Sequence, residues 1–212
     1  MIERGKIMYK KTSNDIFKET RIPNIKNELQ KKYGTTKGNL LYQNAVIILE
    51  KEVQSINDRG NAAVGKHMRN IILPGYACYK ALIDEGITNG EAIALVQEEV
   101  SKAALRMGNL TNKLKKLPFI YGLFKLVMHP VLKFGYPKEG WTIKWNKKSK
   151  HRMSFDITTC LYCEELSKRG ALELCKAFCI SDHVAYDPLA PKIYFIRKGT
   201  LADGNKVCDF CF

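Results

Sequence analysis

The hydrophobic periodicity of this sequence changes once, close to Pro137. Before that point, apolar residues recur at the three- and four-residue spacing that is typical of α-helices. After it, the stretches "WTIKW" and "RMSFDIT" alternate between apolar and polar residues, as half-buried strands do. A helical half followed by strands that alternate with helices predicts an α+β fold.

Residues 36–137 are expected to form a helical subdomain. "NLLYQNAVIILEKEVQSI" places its apolar residues on one stripe, and "HMRNIIL" leads into a further helix that Pro74 is expected to break or restart. Thr88 and Glu91 form a capping box, which predicts the start of a helix that ends at Gly108.

Residues 138–212 predict a small antiparallel sheet covered by two helices, in the order β-β-α-α-β-β. The last two strands are "PKIYFIRKG" and "KVCDFCF". Because alternate residues of a strand share a face, Cys208 and Phe210 should point into the domain and Cys211 outward. A zinc knuckle needs both sulfurs turned toward one ion, so this terminal Cys-x-x-Cys is not expected to form one.

The net charge of +14 is concentrated in residues 1–40 and 113–152. Residues 1–35 predict a basic, partly mobile leader with one short helix. A basic balance suits nucleic acid, an anionic membrane surface or a small anionic substrate. The sequence has no zinc-finger spacing, no RNP-type aromatic motif and no compact helix-turn-helix, so we expect no nucleic-acid partner. A small anionic substrate is the partner that we expect.

Residues 117–137 leave two interpretations open. The segment is apolar on several sides but contains Lys125, Lys133, Gly122 and Pro130, which argue against a membrane span. It predicts either a buried or capping helix pair, or a basic amphipathic segment for peripheral membrane contact, self-association or shielding of a site. Without an apolar N-terminal signal region, the protein is expected in the cytoplasm, where cysteines are reduced.

The seven cysteines are the main candidates for chemistry. Cys160 falls in the first turn of a predicted helix, where unpaired N–H groups and the helix dipole favour a thiolate. Cys179 and Asp182 are three residues apart on the next helix and can share a face. The cysteines expected only to fill space are Cys78, Cys163 and Cys175.

The order and spacing of "GWTIKW", "FDITTC", "LCKAFCISD", "PKIYFIRKGTLADG" and "CDFCF" resemble the L-2-amino-thiazoline-4-carboxylic acid hydrolase family. The helical half, especially "NIILPGYACYKALIDEGITNGEA", is similar to the N-terminal part of that family. The positions that the resemblance picks out are Cys160, Cys179, Asp182, Arg197, Thr200, Gly204, Cys208, Asp209 and Phe210. The resemblance implies hydrolytic opening of a cyclic amidine such as 2-aminothiazoline-4-carboxylate, which gives an N-carbamoyl cysteine.

The first hypothesis is therefore a hydrolase acting on a cyclic amidine or a related, non-peptide C–N bond. Either Cys160 or Cys179 can attack the electrophilic carbon, and Asp182 can transfer protons or orient water. Arg197 can pair with a substrate carboxylate through two parallel hydrogen bonds. The catalytic candidates are Cys160, Cys179, Asp182 and Cys208, and the substrate-binding candidates are Arg197 and Thr200.

Two other hypotheses stay open at this point. A zinc ion, structural or water-activating, could be held by Cys160, Cys179, Cys208 and Asp182, although the hydrolase hypothesis itself requires no cofactor. The third hypothesis is a small-molecule binding or sensor module whose thiols respond to redox conditions.

Overall fold

The structure is a computed structural model that describes residues 16–146 and 149–212. Residues 1–15 of the predicted leader lie outside the described residues. Phe17 and Ile22, from the rest of the leader, are buried in the core. The helices that precede the sheet in the described chain are α1 (Ile25–Tyr33), α2 (Thr35–Val53), α3 (Ala62–His67), α4 (Leu73–Asp84), α5 (Asn89–Leu114) and α6 (Ile120–Gly135).

The predicted break at Pro74 is a change of helical pitch rather than an end. α3 continues into α4 through a π-helical turn, Met68–Ile72, and Pro74 lies in the first turn of α4. Because proline has no N–H, it cannot donate to the carbonyl of Asn70. The backbone N–H of Arg21 donates to that carbonyl instead, at 2.8 Å. This bond holds the segment before α1 against the interrupted helix.

α5 begins as predicted and ends later than predicted. The Thr88 hydroxyl accepts a hydrogen bond from the N–H of Glu91, which confirms Thr88 as the N-cap. The Glu91 carboxylate accepts from that hydroxyl rather than from the Thr88 backbone N–H of a full capping box. Gly108 does not end the helix, which continues to Leu114. A Cβ at Gly108 would lie 2.5 Å from the carbonyl oxygen of Val184. Glycine therefore permits direct packing of α8 (Cys175–Tyr186) on α5.

The C-terminal part contains an antiparallel sheet with strand order β1 (Trp141–Trp145), β2 (Ser154–Cys160), β3 (Cys208–Cys211). Between β2 and β3 lie α7 (Leu161–Ser167) and α8. The fold is α+β, as predicted. Cys208 and Phe210 are buried on one face of β3 and Cys211 is only partly buried, which confirms their predicted orientation.

The predicted strand at residues 191–199 is reduced to a single bridge between Ile196 and Cys211. The backbone N–H groups of Lys198 and Gly199 donate to the Asp209 carboxylate, at 3.0 and 2.7 Å, instead of to a neighbouring strand. The order β-β-α-α-β-β therefore loses one of its last two strands.

Residues 117–137 form one helix, α6, and not the expected pair. Pro130 lies inside this helix without ending it. α6 joins a hydrophobic cluster that also contains residues from α2, α4, α5, β2 and β3. The predicted segments 36–137 and 138–212 thus contribute to a common core. In the described residues, none of the helices has the length and apolar character needed to cross a bilayer.

Candidate active site

Cys160 occupies the junction between β2 and α7. It is the last residue of the strand and the N-cap of α7, one position before the predicted first turn. The neighbouring thiols of Cys163 and Cys175, and the backbone N–H groups of Cys163 and Tyr162, lower the pKa of Cys160 well below its ordinary value of 9.0. This lowered pKa favours the thiolate of Cys160, the form that acts as a nucleophile.

Cys163 and Cys175 support this thiolate, although the sequence assigned them to packing alone. Their sulfur atoms lie 3.1 Å apart. The hydrogen bond with Cys160 raises the pKa of Cys163, and the same partner raises the pKa of Cys175. Both thiols therefore stay protonated beside Cys160. The structure thus assembles three sulfurs from β2, α7 and α8.

Cys208 differs from Cys160 in its protonation state. Burial raises the pKa of the Cys208 thiol to about 12, and its sulfur accepts a hydrogen bond from the backbone N–H of Leu201 at 3.2 Å. The charges of Cys179 and Cys160 contribute to the same shift. Cys208 therefore lies close to both residues as a neutral thiol.

Asp182 and Arg197 form an ion pair beside these sulfurs. The Arg197 guanidinium donates to the Asp182 carboxylate and to the carbonyl oxygen of Cys179 at 2.9 Å. Burial raises the pKa of Asp182 from 3.8 to about 6, although Arg197 lowers it, and the Cys160 charge raises it further. The Asp182 side chain keeps 28% of its accessible surface, whereas Arg197 keeps 6%. Asp182 is therefore partly accessible, whereas Arg197 is almost fully buried. We call the region around Cys160 and Asp182 the crevice.

The C-terminal motif residues position Arg197. Asp209 holds the two residues after Arg197 through the backbone bonds described above, and the guanidinium lies over the ring of Phe210, 5.3 Å from its centroid. Thr200 caps the turn that follows, because its hydroxyl accepts from the N–H of Asp203 and donates to the Asp203 carboxylate. Thr200 is buried in this turn and Arg197 is engaged by Asp182, so neither side chain is positioned as the predicted substrate ligand.

Three tyrosines that the sequence did not single out lie within electrostatic range of Asp182. Burial raises the pKa of Tyr136 to about 12 and raises those of Tyr162 and Tyr186, and the Asp182 charge adds to each shift. The phenols therefore remain protonated. Among the described residues, the hydroxyls of Tyr136 and Tyr186 have no hydrogen-bond partner, and neither is sealed from solvent. They offer unused donors and acceptors to a polar ligand.

His67 fixes the third phenol. Its Nε2 lies 2.9 Å from the carbonyl oxygen of Gly135 and its Nδ1 lies 2.8 Å from the Tyr162 hydroxyl. A carbonyl only accepts, so Nε2 carries the proton and Nδ1 accepts from Tyr162. Burial lowers the pKa of His67, which keeps this tautomer neutral. No spacing in the sequence could link His67 to Tyr162, since they come from α3 and α7.

A basic cleft of about 660 Å³ opens beside His67 and Tyr136. Its cationic lining residues are Arg21, Lys66, Lys102 and Arg106. Burial raises the pKa of Tyr136 and the positive charge of Arg21 lowers it. Arg21 therefore lies within electrostatic range of the crevice. The Arg21 side chain is exposed and has no ion-pair or hydrogen-bond partner among the described residues.

Residues 65–212 match the sequence profile of the L-2-amino-thiazoline-4-carboxylic acid hydrolase family. The match covers more than two thirds of the chain. The chain belongs to this family. No curated protein and no solved structure matches the chain. The family assignment confirms the resemblance drawn from the motifs. Of the positions picked out by that resemblance, Asp182 lies within electrostatic range of Cys160 and Arg197, and Cys208 lies within electrostatic range of Cys160, Cys179 and Arg197.

The predicted zinc set does not fit a compact ion site. Tetrahedral zinc with thiolate ligands requires sulfurs about 4 Å apart. In the described part of the chain, only Glu28, Glu98 and Glu99 bring three possible ligand atoms within 4.8 Å of one another, and the Lys102 ammonium already binds all three. The set Cys160, Cys179, Cys208 and Asp182 does not meet that distance, and Asp182 already pairs with Arg197.

Proposed function

We propose that this protein hydrolyses a small cyclic amidine that carries a carboxylate, of the 2-amino-thiazoline-4-carboxylate type. The observation that supports this proposal best is the lowered pKa of Cys160 within electrostatic range of Asp182, in a region with two unpaired phenol hydroxyls. The thiolate supplies a nucleophile, the carboxylate a base, and the phenols bind polar substrate atoms. The family name supports the substrate class.

In the first step, the Cys160 sulfur attacks the ring carbon that is bonded to two nitrogens and to the ring sulfur. The new sulfur–carbon bond forms as the protonated C=N bond takes up the electron pair. The bond from that carbon to the ring sulfur then breaks, and the ring sulfur leaves as a thiolate. Because a carbamoyl product keeps both nitrogens on this carbon, the bond that breaks is carbon–sulfur and not carbon–nitrogen.

In the second step, water releases the carbon from Cys160. Asp182 is ionised above pH 6 and takes a proton from water as the water oxygen attacks the carbon. Cys160 leaves as a thiolate, and the oxygen loses its remaining proton to solvent to give the carbamoyl group. Asp182 returns its proton to the product thiolate. The surroundings that lower the pKa of Cys160 also make it a better leaving group.

Arg21 is the residue that we assign to the substrate carboxylate. Arg197 has two of its donors on Asp182 and Cys179 and is almost fully buried. Arg21 is exposed at the entrance of the basic cleft. A guanidinium binds a carboxylate through two parallel hydrogen bonds, so Arg21 can hold the anion while the amidine enters the crevice.

The proposal is tested by incubating the purified protein with 2-amino-thiazoline-4-carboxylate and measuring N-carbamoyl cysteine by mass spectrometry. We expect turnover by the wild-type protein and by Cys211→Ser, a matched control whose sulfur lies on the other face of β3. We expect none by Cys160→Ser. Recovery of unchanged substrate from folded wild-type protein would contradict the proposal and favour a binding module.

The short distance between Cys163 and Cys175 favours a second candidate function, a thiol response to oxidants. With hydrogen peroxide, the two thiols would lose two protons and two electrons to form one disulfide, and the peroxide would become two waters. Loss of these two thiols would then raise the pKa of Cys160. Peptide mapping after peroxide treatment tests this candidate, and a Cys163–Cys175 disulfide that lowers turnover and is reversed by dithiothreitol supports it.

A further inference from the structure

α6 has two apolar faces, and only one of them is packed against the protein. Ile120, Met128 and Leu132 are buried. The exposed large apolar residues of the same helix recur at helical spacing on a different side, and they are Leu123, Leu126, Val127, Val131 and Phe134. A contiguous exposed apolar stripe of this kind marks a surface that binds a partner.

The turn before α6 extends this stripe. Phe119 is 91% exposed and has a backbone φ of 59°. This left-handed conformation is uncommon for a bulky residue and costs conformational energy. The turn thus holds an aromatic side chain in solvent at the tip of the molecule, next to Leu117, which is also exposed.

The positive charge of the chain is concentrated around the same helix. Residues 113–152 contain ten lysines and one arginine against one glutamate, which is +10 of the net +14. Lys133 lies two turns after Leu126 on α6, beside the stripe, and Lys116 lies in the preceding turn near Phe119. Both lysines are exposed.

We propose that the α6 stripe, with Phe119 at its tip, docks on an anionic lipid surface. An exposed apolar stripe on a helix that is flanked by lysines matches the boundary between acyl chains and acidic headgroups. A second copy of this chain would bring two strongly positive faces together, so charge disfavours self-association here. The helix would lie in the plane of the interface, since the described helices are too short or too polar to span it.

Vesicle co-flotation tests the proposal with the full chain. The probes are vesicles of phosphatidylcholine alone and vesicles in which about a third of the lipid is phosphatidylserine. We expect the wild-type protein to float only with the anionic vesicles, and this binding to weaken at least tenfold when the ionic strength is raised to about 0.5 M.

The Phe119→Ser/Leu126→Gln variant removes the most exposed part of the stripe and should lose at least tenfold in vesicle binding. Its matched control is Ile47→Gln, since Ile47 is 64% exposed on α2, away from the lysine cluster. Lys116→Glu/Lys133→Glu should lose as much, whereas Lys51→Glu should not. None of these residues lines the crevice or the basic cleft, so turnover serves as a control for folding. A variant that is misfolded would lose turnover as well as vesicle binding.

Three outcomes would overturn the proposal. The first is absence of wild-type binding to anionic vesicles. The second is binding that the α6 variant leaves unchanged. The third is a dimer in solution, without lipid, that the α6 variant converts to a monomer; this result would assign the stripe to a second copy. Because the test needs no substrate, it is independent of the proposed hydrolase activity.

Discussion

The crevice buries charged groups that proteins usually expose, whereas the α6 stripe exposes apolar groups that proteins usually bury. In the crevice, Asp182 and the Cys160 thiolate are surrounded by protein, where ionised groups are costly. On α6, Leu126 is 73% exposed to water, where large apolar groups are costly. The crevice compensates through hydrogen bonds and the Arg197 ion pair, whereas nothing in the described chain covers the stripe. The first region is stabilised within the fold, and the second is the surface for which we propose a partner.

The largest expected effect comes from replacing the nucleophile, which should change the activity of the crevice and leave the α6 stripe unaffected. Cys160→Ser replaces a thiolate with a hydroxyl that stays protonated, so turnover should fall by about a thousandfold or more. Vesicle binding should not change, because α6 is untouched. Steady-state kinetics and co-flotation on the same preparation check this prediction. Turnover within tenfold of wild type would remove Cys160 from the mechanism.

The next effect tests whether the basic cleft serves the crevice. Arg21→Gln removes the guanidinium assigned to the substrate carboxylate, and KM should rise about 10- to 100-fold with kcat nearly unchanged. Lys37→Gln, an exposed cation outside the cleft, is the control. A loss in kcat at constant KM would contradict this role for Arg21.

A smaller effect concerns the pH profile. The required form of Asp182 is ionised, so kcat/KM should fall tenfold per pH unit below a midpoint of about 6 and level off above it. Arg197→Gln removes the cation that lowers this pKa, so the midpoint should move to higher pH. Arg152→Gln, which changes a cation beside Cys211, should leave the midpoint in place. If the midpoint does not shift in Arg197→Gln, the fall of kcat/KM at low pH reports the protonation of another group.

The smallest effect is expected on α6. Leu126→Gln alters an exposed side chain, so the free energy of unfolding should change by less than about 0.5 kcal/mol. Turnover should also stay constant. Denaturant titration and kinetics check both quantities. A destabilisation of several kcal/mol would show that the stripe is part of the core and would weaken the contrast between the two regions.

The sequence predicted the parts of the fold that depend on local pattern. The change of periodicity near Pro137, the Thr88 cap and the inward direction of Cys208 follow from the spacing of neighbouring residues, and the structure confirms all three. Gly108 was misjudged as a helix end because its role depends on α8 packing against it. The strand at 191–199 failed for a similar reason, since Asp209 binds the N–H groups that a strand would use.

The candidate site was only partly predictable. The motifs identified Cys160, Asp182 and Arg197, and the structure brings them together. Tyr136 and His67 were missed, because nothing in the sequence shows which phenol or imidazole from a distant helix will reach the crevice. Arg197 was expected to bind substrate, but its guanidinium pairs with Asp182. This pairing joins α8 to the segment before β3, and the sequence does not show which residues of these two segments meet in the folded chain.

The most direct test of this account is the rate at which each cysteine reacts with iodoacetamide as a function of pH. Peptide mass spectrometry can follow Cys160 and Cys208 separately. We predict that Cys160 reacts fast at neutral pH, with a midpoint well below 9.0, and is protected by 2-amino-thiazoline-4-carboxylate, whereas Cys208 stays unreactive. A Cys160 that reacts only at alkaline pH, or that substrate does not protect, would contradict the central claim that it is the nucleophile of this crevice.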